Sequence, residues 1–115
     1  MSPGLIRSKR ASSVRQSQEL CEFLACCKNE WLRNKVEEMK SLLLENRVLG
    51  DKIPKDRWPE HYVIRYGVTN LFKCDLGRDW RMIYTLIYEG AGIAVMQLDV
   101  LTHRDYNRRF GYKTT

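Results

Sequence analysis

Long apolar runs are missing from this chain, and that absence sets the first limit. No window approaches the roughly 18 apolar residues of a membrane-spanning helix, so no membrane partner is expected. The opening MSPGLIRSK has no apolar core of signal-peptide length, and the expected location is the cytoplasm. Histidine is scarce, with only His61 and His103. None of the cysteines (Cys21, Cys26, Cys27, Cys74) belongs to a CxxC pair or lies near a histidine, which removes the usual zinc signatures. Adjacent Cys26 and Cys27 make a poor disulfide scaffold, so the four read as reduced, mostly buried thiols. There is no Gly-rich phosphate loop, no HExxH and no carboxylate cluster on one strand. The expected chemistry needs neither metal nor cofactor.

What is present suits one domain. A length of 115 residues allows one modest core, and 43% hydrophobic with 30% charged residues is ordinary for a globular protein. The net charge of +6 is unevenly spread. Residues 1–18 carry four basic side chains and no acid, residues 19–51 sum to −2, and residues 52–115 sum to +4. Both ends could therefore meet a polyanion, while the middle reads as a solvated helical region.

Residues 1–16 are Ser- and Arg-rich without apolar periodicity and read as a mobile basic tail, leaving 17–115 as the domain. Residues 17–49 contain neither Pro nor Gly and show a helical period. Leu20, Leu24, Cys27 and Trp31 form one stripe; Leu32, Val36, Met39 and Leu43 form a second, shifted by one position. The shift predicts two helices with Asn29 capping the second, and Gly50 suits its C-terminal end. Pro59-Glu60 and Gly67 bracket a short helix, although HYVIRYGV also fits an edge strand. Alternation then predicts strands over 70–76, 80–88 and 93–101, joined by turns at Gly77-Arg78-Asp79 and Glu89-Gly90-Ala91-Gly92. Connections this short force antiparallel neighbours. The expected architecture is α+β: two N-terminal helices packed on a small antiparallel sheet of three to four strands, apolar on one side.

Cations and tyrosines with one late histidine form the candidate site. Such a set can cleave RNA when the ribose 2′-OH attacks its own 3′ phosphate. Side chains must then orient the sugar, move protons and stabilise a phosphorane-like charge. Arg and Lys supply that stabilisation through charge-assisted hydrogen bonds. His103 or Tyr106 could carry the proton, and Trp58, Tyr106 and Tyr112 could stack on unpaired bases. The plainer readings stand beside these. Arg81 could pair with Asp79 or Asp99, Lys73 could guard a sheet edge, and Arg108 and Arg109 could dock onto acidic helix residues. Lys52, Lys55 and Arg57 could belong to a solvated loop.

Over residues 50–113, the segments GDKIPKDRWPEHYVIRYGVTNLFKCDL, DWRMIYTLI and LDVLTHRDYNRRFGYK together resemble the RelE/ParE-like toxin superfamily, in its archaeal-style RelE branch. The resemblance implies a type II toxin-antitoxin toxin, a ribosome-dependent mRNA endoribonuclease neutralised by a cognate antitoxin. Its partners would be the ribosome and mRNA. The catalytic positions it implies are Arg81, His103, Arg104, Tyr106 and Arg109. RNA contacts fall to Lys52, Lys55, Arg57, Lys73, Arg78 and Tyr112. Arg81 is the firmest of these, inside an aromatic-Arg-apolar-apolar-Tyr strand. Many members begin with a strand that residues 1–16 do not display, and both Tyr106 and Tyr112 compete for the tyrosine position. The alternatives are a ParE-type gyrase poison, or a non-catalytic module that binds RNA or a partner on the same fold, its nuclease activity lost.

Overall fold

The computed structural model describes residues 9–112. The elements run β1 (Val14–Gln16), α1 (Gln18–Cys26), α2 (Glu30–Glu45), β2 (Asp51–Lys52), a 3₁₀ turn (Lys55–Arg57), α3 (Glu60–Tyr66), β3 (Phe72–Gly77), β4 (Trp80–Glu89), β5 (Gly92–Thr102) and α4 (His103–Arg109). The class is α+β, as the sequence suggests. In detail the sheet has five strands in the order β1-β5-β4-β3-β2, and it is mixed rather than wholly antiparallel. Within the expected tail, residues 1–8 lie outside the described residues, but Val14–Gln16 form a strand parallel to β5. Three residues are too few to show a period, and this strand exists only because β5 offers it an edge.

The two helices break where the stripe shifts. Ser17 Oγ accepts from the Leu20 amide and Asn29 Oδ1 from the Leu32 amide, each at 3.0 Å, so each helix start has a side-chain cap. Leu20, Leu32, Val36, Met39 and Leu43 are buried against Phe72, Cys74, Leu76, Met82 and Tyr84 of the sheet. Gly50, in contrast, does not end α2, whose C-cap is Asn46. A Cβ at Gly50 would sit 2.4 Å from the Lys73 carbonyl oxygen, so this glycine permits a close approach of β2 to β3.

Pro59 and Gly67 do bracket a helix, α3, and Gly67 adopts φ 60 and ψ 37 as its left-handed cap. Together with α4, this helix overturns the expectation of a sheet apolar on one side. Ile53, Tyr62, Val68, Leu71, Ile83, Leu98, Leu101, Tyr106 and Phe110 form a second core on the opposite face. Strand β4 is therefore buried continuously from Met82 to Leu86, as a strand covered on both faces must be.

A register shift in β5 serves that second face. Ile83 faces Asp99 but Tyr84 faces Gln97, leaving Leu98 as an extra residue. Leu98 enters the second core, while the fully buried Gln97 turns to the other side and donates to the Val36 carbonyl. The cysteines also depart from expectation: Cys74 is buried, Cys27 is half-buried, and Cys21 and Cys26 are exposed. The helical stripe passes between those last two. Among the described residues, no helix is long and apolar enough to cross a membrane.

Candidate functional site

The β3–β4 hairpin and the start of α4 converge at one end of the sheet. Arg78 and Asp79 both take positive φ (50° and 68°), the backbone a two-residue hairpin turn demands. The Asp79 carbonyl thereby accepts from the His103 amide at 3.0 Å. Thr102 caps α4 by accepting from the Asp105 amide at 3.2 Å. The T-x-x-D spacing of Thr102 and Asp105 was the sequence signal for this helix, although the segment after strand 93–101 was assigned no element.

Arg81 lies across from Asp75 and Leu101, on the face that α4 covers. Its Nε donates to Asp75 Oδ1 at 2.8 Å, and its guanidinium carbon stands 4.6 Å from the centre of the Tyr106 ring. The partner is thus Asp75, rather than Asp79 or Asp99. His103 sits between two carboxylates, with Nε2 3.3 Å from Asp75 Oδ1 and Nδ1 3.4 Å from Asp79 Oδ1. The Nε2 contact is out of line for a hydrogen bond, so it is ionic when the imidazole is protonated. The hydrogen bond from Arg81 holds the Asp75 carboxyl below its ordinary range, against a smaller opposing effect of burial.

A stack extends from Arg81. Tyr106 packs on Phe110 at 4.4 Å and on Tyr112 at 5.8 Å, and Arg57 covers the outer face of Tyr112 at 4.2 Å. Gly111 makes this possible: its φ of 76° folds the chain back after α4, and the Tyr112 amide donates to the Asn107 carbonyl at 2.8 Å. Arg57 Nη1 then donates to the Gly111 carbonyl. The result is a guanidinium-ring-ring-guanidinium layer over the sheet, Arg81 at one end and Arg57 at the other.

Neither family models, curated proteins nor solved structures give a significant match to this chain. The site therefore stands on its geometry.

The other expected residues divide. Tyr106 is 1% exposed, and its hydroxyl has no hydrogen-bond partner among the described residues. Burial pushes its phenol up to about 12, and the adjacent Tyr112 adds to the effect. Tyr106 therefore forms the floor of the layer, and its oxygen is poorly placed to exchange protons with a ligand. Arg109 faces away from Arg81, where it donates to Asp99 Oδ2 at 3.0 Å and to the Tyr62 hydroxyl at 2.9 Å. Tyr62 in turn donates to Asp99 at 2.7 Å, so the three form a closed brace between α3, α4 and β5. Burial, and the Asp99 charge after it, raises the Tyr62 phenol well above its ordinary value.

Arg104 is exposed and makes no hydrogen bond or ion pair with the described residues. Arg78 lies 4.7 Å over the Trp31 ring of α2, on the other side of the sheet. Lys73 shares the Arg81 face and pairs with Asp51 at 3.7 Å. Lys52 and Lys55 border a groove of about 370 Å³ with Ile53, Trp58 and Leu71 at the β2 end. No hydrogen bond, ion pair or ring contact ties them to the Arg81 cluster. Trp58 donates its ring N–H to the Ile53 carbonyl at 2.8 Å and packs against the second core. Asp75 and Asp79, absent from the sequence-derived site, complete the cluster. No local signal gave Asp75: the two-residue turn alone would set Leu76 opposite Arg81, and the register shift between Asp75 and Gly77 brings Asp75 there instead. Among the described residues no three His, Cys, Asp or Glu side chains converge as a metal ion would require.

Proposed function

We propose that this protein is a RelE-type toxin that cleaves mRNA on the ribosome and is held in check by a cognate antitoxin. The observation that carries the reading is the Arg81 cluster: a buried-stem guanidinium beside a half-exposed histidine whose Nε2 is buried, at the edge of a layer that includes Tyr112 and Arg57. The side chain of Arg81 is only 16% exposed, whereas that of His103 is 41% exposed. In this reading the finer fold is RelE-like, with α1 and α2 across one face of a small sheet. The parallel β1 supplies the leading strand many members have.

The chemistry assigns roles by position. His103 takes the proton from the ribose 2′-OH as general base. The 2′ oxygen bonds to the neighbouring phosphorus, and the bond to the 5′ oxygen of the next nucleotide breaks. That oxygen takes a proton from solvent water and His103 returns its own to solvent, leaving a 2′,3′-cyclic phosphate. Arg81 stabilises the extra negative charge on the phosphorane through fixed donors. The outer face of the Arg57 guanidinium, backed by Tyr112, offers a base a stacking surface, and exposed Arg104 is free to meet the RNA backbone.

Inducible expression tests this directly. The wild-type chain is expected to arrest growth and to cut ribosome-bound mRNA, leaving 2′,3′-cyclic ends. Arg81→Ala is expected to lower cleavage at least about a hundredfold, the scale of losing one charge-stabilising donor. Intact mRNA under full expression of folded wild-type protein overturns the reading. A second reading, a non-catalytic RNA-binding module on the same fold, is favoured by the buried, unpartnered hydroxyl of Tyr106. It predicts RNA binding with no cleavage in any variant.

A further inference from the structure

One carboxylate oxygen, Asp75 Oδ1, lies against two nitrogenous side chains at once. It accepts a hydrogen bond from Arg81 Nε at 2.8 Å and stands 3.3 Å from His103 Nε2, an ionic contact when the imidazole is protonated. Arg81 and His103 are held more firmly than Asp75. The Arg81 side chain is 16% exposed and packs on the Tyr106 ring, while the Asp75 side chain is 63% exposed at the end of β3. His103 is fixed by its amide bond to Asp79 and by the first turn of α4. The pairing of β3 with β4 shifts register between Asp75 and Gly77, so Asp75 lies where the strand loosens. A phosphodiester oxygen carries a comparable charge and fits the same place, accepting from Arg81 beside the His103 ring.

We infer that Asp75 is a built-in competitor for the phosphate, an intramolecular anion that occupies the Arg81–His103 site until RNA backbone displaces it. This deepens the proposed function and rests on its assignment of Arg81 to an RNA phosphate. Asp75 sets the affinity threshold of the site. Weakly held or isolated phosphate does not displace it, whereas a strand also engaged by Arg57, Tyr112 and Arg104 does. Asp79 makes only the His103 contact and has no share in holding Arg81. Lys73 lies on the same face and is engaged by Asp51, so it does not relieve Asp75 of its role.

The test measures binding of the full chain to a fluorescent eight-uridine RNA over a series of salt concentrations. Asp75→Asn is expected to tighten binding about fivefold, the scale of releasing one exposed ion pair. It should also steepen the plot of log affinity against log salt by about 0.7, one further neutralised phosphate on a single strand. Asp79→Asn should change both much less. Adding Arg81→Ala to Asp75→Asn should erase the gain. Asp75→Thr, a good strand former, guards against a folding artefact, with thermal melts run on every variant. Unchanged or weaker binding in both folded Asp75 variants, with an unchanged salt slope, overturns the inference. If that occurs while wild type still cuts mRNA, the proposed function survives alone. If affinity rises as expected but no variant cuts mRNA, the anion site stands and the nuclease reading fails. Absence of RNA binding in every variant overturns the inference, and overturns both if ribosome-bound mRNA also stays intact.

Discussion

At the scale of single residues, Arg81, Tyr106 and Arg109 carry three different burdens despite sharing one short stretch of the sheet face. In the proposed function Arg81 is the donor presented to a ligand and Tyr106 its platform, while Arg109 braces Tyr62 and Asp99. The Tyr106 hydroxyl is buried without a partner, so removing it deletes a desolvation cost rather than a bond. Tyr106→Phe is therefore expected to leave stability unchanged or slightly higher near neutral pH, and to retain cleavage if His103 moves the proton. The alkaline limb gives an independent check. A phenol raised in the folded state keeps its full contribution below the ordinary tyrosine value of about 10. That contribution is lost as pH rises toward about 12. Denaturant titrations across that window should show a shallower decline in Tyr106→Phe than in wild type. Arg109→Ala should behave oppositely. It strips a partner from Tyr62 and Asp99, and the expected loss is about 1–2 kcal/mol, modest because Arg109 is partly exposed. Unfolding midpoints would decide it, and equal stability would remove the brace.

Elements are held in place here by backbone exceptions more than by propensity. Gly111 turns α4 back so that Tyr112 lands on Tyr106, and its φ of 76° is hostile to any side chain. Gly111→Ala is expected to cost about 1–2 kcal/mol from the left-handed backbone. It should also weaken RNA binding, because Tyr112 and the Arg57 contact shift together. Binding retained at wild-type strength would show that the ring layer takes no part. Gly50 works by proximity instead, and a methyl there meets the Lys73 carbonyl. Gly50→Ala should destabilise by about 1–3 kcal/mol through overpacking, read as a lower midpoint in urea. Of the two glycines read from sequence as helix ends, Gly67 was legible because it follows a Pro-Glu start at helical distance. Gly50 was misread as a helix end, since sequence shows where a glycine lies but not which strand passes beside it.

For the whole molecule, the mixed sheet turns β5 from an edge into an inner strand. Removing residues 1–16 would expose that edge along Val95, Met96 and Gln97, and unpaired strand edges template association. The truncated chain is expected to unfold at lower temperature and to form larger species in size-exclusion chromatography. A monomer of wild-type stability would show β1 to be dispensable. Helices α1 and α2, the hairpins and one core face followed from sequence alone, because capping, turn geometry and alternation act within a few residues; α3 was one of two readings, and α4 was missed. Asn29, Pro59, Gly67 and the Phe72-Cys74-Leu76 alternation each state their outcome locally. Only the tertiary structure decided the parallel β1–β5 pairing, the second core under α3 and α4, the choice of Asp75 as partner of Arg81, and the turning of Arg109 toward Tyr62. Each depends on contacts between residues distant in sequence, or on a bulge that reassigns faces by one position, and no local pattern encodes those. The cations were visible from the outset; which of them a ligand can reach was fixed by what the fold had already placed against them.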